Sequence, residues 1–378
     1  MSWPKVKLGD ICRIEIGKTP PRAKSEYWGI GYPFLSIKDM NQGKFMVETK
    51  EEITDAALQQ SNYRLVPKGT LLMSFKLSIG KLGITKVDMY TNEAIAALYV
   101  DESRVYKEYL YHALQSIDLL ATTDRAVMGA TLNKRKLALI PVPLPPLDEQ
   151  KRIATILNKA NEIEGAAHLA QKMRSELITA TFLDMFGDPI VNPNNFNKVK
   201  LESVTKFHKQ GLYFNQGYSK SGNQLIRIAD MRKDGSLNFG TMPFIEIDSK
   251  TQKQFSVEVG DFLFARSGSI GTCAIVREDT DAVFGSFIIK FQFTEELLND
   301  YFIHYYQLPQ IEMMIRSMSH GSTNTNINAK NIKNLDVMLP PIALQKKFLQ
   351  IVNTIKQMPN STELSYTNLA SLSQEILL

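Results

Sequence analysis

The feature that most constrains this chain is an internal duplication, because a chain that repeats its own order of motifs folds as two copies of one unit. Val6-Lys7-Leu8, followed by Ile11, returns as Val199-Lys200-Leu201, followed by Val204. The stretch VPKGTLLMSFKLSIGKLG from Val66 to Gly83 matches VEVGDFLFARSGSIGTCA from Val257 to Ala274 at a constant offset of 191, with no gap. Tyr109-Leu110-Tyr111-His112 pairs with Tyr301-Phe302-Ile303-His304, and Gly129-Ala130-Thr131 with Gly321-Ser322-Thr323, both at an offset of 192. Pro145-Pro146-Leu147 with Gln150-Lys151 pairs with Pro340-Pro341-Ile342 with Gln345-Lys346, and the offset has risen to 195.

Each copy is therefore a mixed α/β region, a proline stop and a helical segment. Gly69 to Phe75 and Gly260 to Ala265 are predicted strands bounded by tight turns, and Tyr106 to Leu120 a helix. After PLPPLDEQ the apolar residues Ile153, Ile156, Ala160, Ile163, Ala167, Ala170, Met173, Leu177 and Ala180 recur at three- and four-residue steps, one stripe of a long helix. Gly187-Asp188-Pro189 supplies its stop. A helix from Asp148 to Phe186 would run roughly 58 Å, too long for the interior of one small domain. Its expected partner is the second helical segment, with Phe348, Ile351, Val352, Ile355 and Met358, paired antiparallel and kinked near Pro359. The reading is an α/β (α+β) fold. Two similar globular domains, 1–146 and 188–341, alternate with helical spacers, 147–187 and 342–378.

At 378 residues the chain exceeds what one core usually holds. A hydrophobic content of 44% with 22% charged residues is ordinary for a folded protein, so extensive disorder is not expected. The formal charge of +5 is compatible with a polyanionic partner without demanding one. Cys12 and Cys273 are the only cysteines, which points away from a disulfide framework or zinc site and towards a reducing, cytoplasmic setting. No run reaches a membrane span or a signal-peptide core.

Catalytic signatures are absent. Gly17-Lys18-Thr19 matches the end of a P-loop, but Cys12 stands where the first glycine belongs. Leu144-Pro145-Pro146-Leu147 lacks the amide of an amino-methyltransferase tetrad. The five histidines, His112, His168, His208, His304 and His320, form no HExxH spacing. His112 and His304, at equivalent helical positions beside aromatics, read as packing residues.

The PLPPLDEQKRIATIL block before a long helix, the duplicated order, and the GATLN and GSTNTNINAKNI loops resemble the specificity subunits of type I restriction-modification enzymes. The resemblance spans essentially the whole chain. It implies two target recognition domains, each reading half of a split double-stranded DNA site, on spacer helices packed as an antiparallel coiled coil. It also implies docking to two methyltransferase subunits, with restriction subunits joining that core. S-adenosylmethionine, ATP and Mg would sit on those partners, with no cofactor, metal or catalytic residue on this chain.

Within that reading three groups are candidates for DNA contact. Thr131, Asn133, Lys134, Arg135 and Lys136, with Ser322, Thr323, Asn324 and Asn326 in the second copy, gather cations, hydroxyls and amides on a loop. The plain alternative is a turn whose Asn caps a helix. Lys76, Ser78 and Lys81 follow the shared strand, matched by Arg266, Ser267 and Ser269, where glycines let the backbone approach phosphate. Lys38 and Arg227 lie beside the pairs Asp39-Met40 and Asp230-Met231. On the helices, Ile153, Ile156, Ile163, Leu177, Phe182, Phe186, Phe348 and Ile355 are candidate partner-interface residues. A scaffold that joins protein partners without DNA would explain the repeat and stripe equally well, and co-purification of a methyltransferase would separate the two.

Overall fold

The computed structural model describes residues 3–76, 78–119, 132–267, 271–317 and 327–358. Among them the chain is α+β and divides into two compact units, one ending at His168 and the other beginning at Leu169. Each unit repeats the same plan.

In the first unit the strand Lys5–Lys7 pairs antiparallel with Pro141–Pro143, so the beginning of the domain is tied to its end. A five-stranded sheet follows in the order Cys12–Ile16, Ile95–Val100, Leu71–Ser74, Leu82–Thr85 and Phe45–Met46. Alternate residues of its central strands face opposite cores. Leu71 and Met73 meet Tyr109, Leu110 and Leu114 of the helix Lys107–Ser116, while Leu72 faces Leu35, Met40 and Met46. Both faces are covered, so these strands are mostly apolar, with Ser74 and Thr85 buried at their ends. A small sheet places Trp28–Leu35 between Glu51–Ile53 and Tyr90–Thr91.

The second unit pairs Asn197–Lys200 with Asp336–Leu339, and orders its main sheet Thr205–Gln210, Ile288–Phe293, Phe262–Ala265 and Cys273–Ile275. Its small sheet places Asn223–Ile226 between Phe244–Ile245 and Val283–Phe284. Registers coincide as well: Leu72 pairs with Ala97, and Leu263 with Lys290. Gly80 and Gly271, 191 residues apart, both take positive φ, at 90° and 100°, in the turn after the shared strand.

One continuous helix, Leu147–Phe186, follows the first proline stop. Gly187, at φ 76°, ends it and donates its N–H to Leu183 O at 2.8 Å. The second helical segment runs Ile342–Gln357. Within the second unit the two progress antiparallel: Arg174 donates to Met358 O at 2.7 Å, while Phe182 and Phe186 meet Phe348 at ring separations of 5.4 and 5.5 Å.

The motif residues that repeat most faithfully hold the helix starts. Gln150 is buried, accepts from Tyr106 N at 2.8 Å and donates to Arg104 O and Pro145 O. Gln345 does the same with Leu298 N at 3.0 Å, Glu296 O and Pro340 O. A buried amide with one acceptor and two donors satisfied fixes the angle between globular part and helix.

Candidate nucleic-acid interface

The shared scaffold sets where each candidate side chain stands, and it revises several equivalences drawn from spacing. Asn133 caps the helix Lys134–Ala138, its side chain accepting from Lys136 N at 2.9 Å. Its counterpart is Asn328, which caps Ala329–Lys333 by accepting from Asn331 N at 2.8 Å. The offset is 195, so Asn324 and Asn326 are not its equivalents. For Asn133 the capping alternative describes the carbonyl oxygen; a base contact would fall to the amide. Thr131, Ser269, Ser322, Thr323, Asn324 and Asn326 lie outside the described residues.

Lys134 reaches Glu15 at 3.8 Å, alongside Arg64 and Arg13. Burial pushes the Glu15 carboxyl up, but the hydrogen bond and charge of Arg64, with Lys134, hold it below the usual range. Lys134 is thus part of a surface ion cluster, whereas Arg135 is exposed and Lys136 half-buried.

After the shared strand, Lys76 is half-buried and Ser78 exposed. Lys76 exerts its charge on Glu93, which Thr19 also hydrogen-bonds and Arg22 also attracts. Lys81 donates to Asn41 Oδ1 at 2.6 Å, and Asn41 N bonds to the carbonyl of exposed Lys38, so Lys38 and Lys81 share one turn. The second copy keeps the ungapped offset of 191, which does not pair Arg266 with Lys76. Phe75 N bonds to Ala94 O and Arg266 N to Phe287 O, so Arg266 occupies the place of Phe75, and Ser267 that of Lys76. The Nε of Arg266 is buried without a hydrogen-bond partner.

Arg227 occupies the place of Ser36, not Lys38, and its guanidinium is committed. It grips both oxygens of buried Asp230 at 2.9 and 3.0 Å and donates to Thr241 O at 2.6 Å. Burial raises the Asp230 carboxyl, but the hydrogen bonds from Arg227 and Thr241 hold it below the usual range. The pair braces the small sheet, so base reading by Arg227 would break a satisfied ion pair.

The helix candidates need the larger correction. Phe182, Phe186, Phe348 and Ile355 are buried within the second unit, where Phe182 stacks on Tyr301 at 5.5 Å. Ile153 is buried in the core of the first unit. These five are intramolecular core, because each end of the long helix completes the domain beside it. Ile156 and Ile163 are half-buried, and only Leu177 is exposed. Leu169, Met173 and Leu177, at four-residue steps, form an exposed apolar line along mid-helix, with Met173 60% exposed.

One region carries functional-looking chemistry that spacing did not flag. A cavity of about 320 Å³ in the second unit is lined by Phe214, Tyr218, Leu225, Arg227, Ser286 and Phe287, among others. Tyr218 and Phe287 of its lining are exposed, as is Tyr213 nearby in the sequence. Spacing gave no signal for it: Gly17 and Gly211 begin loops of different length in the two copies, and only their hydrogen bonds make them equivalent. Among the described residues no group of three or more His, Cys, Asp or Glu side chains could hold a metal ion, and no helix is long and apolar enough to cross a membrane.

Comparison with known proteins agrees with this duplicated plan. The family model for the type I restriction modification DNA specificity domain matches twice, over residues 2–169 and 193–372. The chain is 23% identical over 392 residues to the type I restriction enzyme MjaIX specificity subunit of Methanocaldococcus jannaschii, covering 93% of this chain and 86% of that one. It is 21% identical to the EcoBI specificity subunit of Escherichia coli, covering 100% and 85%. Its fold is similar to the crystal structure of the type I restriction-modification system S subunit from M. genitalium, with a TM-score of 0.58 at 14% identity over 99% of this chain and 95% of that one. With two matches that together span most of its length, the chain belongs to the type I restriction modification DNA specificity family.

Proposed function

We propose that this chain is the sequence-specificity subunit of a type I restriction-modification enzyme, reading a bipartite double-stranded DNA site without a catalytic centre of its own. Residues 1–146 and 188–341 act as the two recognition domains, one per half-site, and 147–187 and 342–378 as spacers. The observation that carries the reading is the double family match on two stretches whose main sheets share the order of four strands yet differ in side chains, since different half-sites require different readers. Lys38, Lys76, Lys81 and Arg135 in the first domain, and Arg266 in the second, supply phosphate contacts that set register.

Chemistry falls to partners. Two methyltransferase subunits carrying S-adenosylmethionine, and restriction subunits using ATP and Mg, assemble on this chain in the cytoplasm. The exposed line Leu169, Met173 and Leu177 is the docking face on the helix. The test is methylome sequencing of a host with and without the gene. One bipartite methylated motif that appears and vanishes with the gene supports the reading, and an unchanged methylome sinks it.

A further inference from the structure

Two loops at the same place in the two domains differ where the scaffold around them does not. Gly17 N bonds to Ile95 O and Lys18 N to Thr91 O; Gly211 N bonds to Ile288 O and Leu212 N to Phe284 O. These paired bonds make Gly17 and Gly211 equivalent. A Cβ on either glycine would lie within 2.5 Å of backbone oxygens across the loop base, so both bases are closed against side chains. The far ends match too: a Cβ on Gly31 would strike Ile53 O at 2.3 Å, and one on Gly222 would strike Ile245 O at 2.4 Å. Between these anchors the first domain spans residues 18–30 and the second only 212–221, with no shared pattern.

Both loops present largely exposed apolar or aromatic side chains, of which Tyr218 also contacts Arg227. In the first, Ile30 is 99% exposed at a bulge between two glycines. Its loop is held rigidly: Arg22 pairs with Glu51 and covers the Trp28 ring at 3.9 Å, Thr19 bonds to Glu93, and Gly31 N bonds to Glu52 at 2.7 Å. In the second, Tyr213 is 76% and Tyr218 62% exposed, and Phe287, 61% exposed, lines the same cavity as Tyr218. Leaving such side chains in water forgoes the stabilisation that burial would give, which fits a surface that is covered by a partner. The loops are also basic: Lys18, Arg22 and Lys24 stand against Glu26 alone, and Lys220 against no acid.

We propose that these equivalent loops are the base-reading elements, Ile30 in the first domain and Tyr213 and Tyr218, with Phe287, in the second, each contacting one half-site of double-stranded DNA. This rests on the function proposed above and names the residues that deliver it. Divergence selects DNA over protein: a surface docking two copies of one partner subunit keeps its residues in both domains, whereas surfaces reading different half-sites must differ. Apolar side chains read thymine methyls or wedge between base steps, and aromatics present flat faces to bases, while neighbouring cations hold the backbone.

The test uses the full chain co-expressed with its methyltransferase subunit, read by methylome sequencing and by binding to single-base variants of the resulting motif. Ile30→Ser is expected to cut discrimination about tenfold at one or two base pairs of one half-site. The double variant Tyr213→Ala with Tyr218→Ala is expected to do so in the other half-site only. Purification with the methyltransferase subunit and the melting temperature should not change, since all three side chains are exposed and Arg227, which Tyr218 contacts, stays held by Asp230 and Thr241. A wild-type chain that yields no bipartite motif overturns the functional reading and the loop assignment with it. A bipartite wild-type motif kept at full discrimination in both halves by both variants overturns the loop assignment alone. Loss of the methyltransferase subunit from either variant overturns it in favour of a protein-docking surface.

Discussion

Gln150 and Gln345 show how a recognisable motif can be structural. The glutamine that marks each PP-to-helix junction is buried, and its amide satisfies three backbone groups that no helix or sheet supplies. Removing such a side chain would strand those groups at about 1–3 kcal/mol each. The histidines at equivalent helical positions are likewise packing residues. His112 bonds to Asn158 at 2.8 Å, and His304 lies edge-on to Phe348. Burial pushes His304 down to about 4, with the charge of Lys356 adding to it. Its folded pKa is below its unfolded value, so the unfolded chain binds the extra proton between pH 6.5 and 4. The resulting stability is fully present above pH 6.5 and is lost as pH falls towards 4, up to about 3 kcal/mol. Denaturant unfolding of wild type and His304→Leu at pH 7.5 and 4.5 measures this: the wild type should lose stability on acidification more steeply than the variant. Equal slopes would show that burial does not suppress the His304 charge.

At the scale of elements, the long helix carries two kinds of apolar residue that its sequence period could not separate. Phe182 is fully buried among Tyr301, Tyr305 and Phe348, whereas Met173, nine residues earlier, is mostly in water. Phe182→Ala should therefore cost about 3–5 kcal/mol, read from a denaturation midpoint. Met173→Ser should alter stability by no more than about 0.5 kcal/mol, yet reduce recovery of the methyltransferase subunit in co-purification. Unchanged recovery with Leu169, Met173 and Leu177 all replaced by Ser would move the docking face elsewhere. The buried pair Lys290–Asp261, 2.9 Å apart, makes a related point. The first domain has Ala97 and Thr70 at those places in the same register, so one scaffold tolerates an ion pair or a neutral pair in its core.

For the whole molecule, a DNA reader of modest net charge must concentrate its cations rather than spread them. Binding of the assembled complex to its site should fall by roughly a thousandfold or more between 50 and 200 mM salt if six or more phosphates are neutralised. Arg135→Ala, which removes an exposed cation in the first turn of a capped helix, should lower the log–log salt slope by about one and weaken all sequences alike. A slope unchanged in filter binding or fluorescence titration would remove Arg135 from the interface.

The sequence by itself determined the duplication, the α+β character of each copy, the long helix after the first proline stop, and the family. Those features are local: glycines at positive φ, prolines, a junction glutamine and an apolar period act within a few residues and recur at readable offsets. The tertiary structure alone decided which side chains those elements spend inward. Phe182, Phe186 and Phe348 became core because segments far apart in the chain close around them, and Arg227 was taken up by Asp230. It also decided that the loops after Gly17 and Gly211 are one place in the fold. That equivalence lies in hydrogen bonds to strands more than seventy residues away, which no spacing along the chain records.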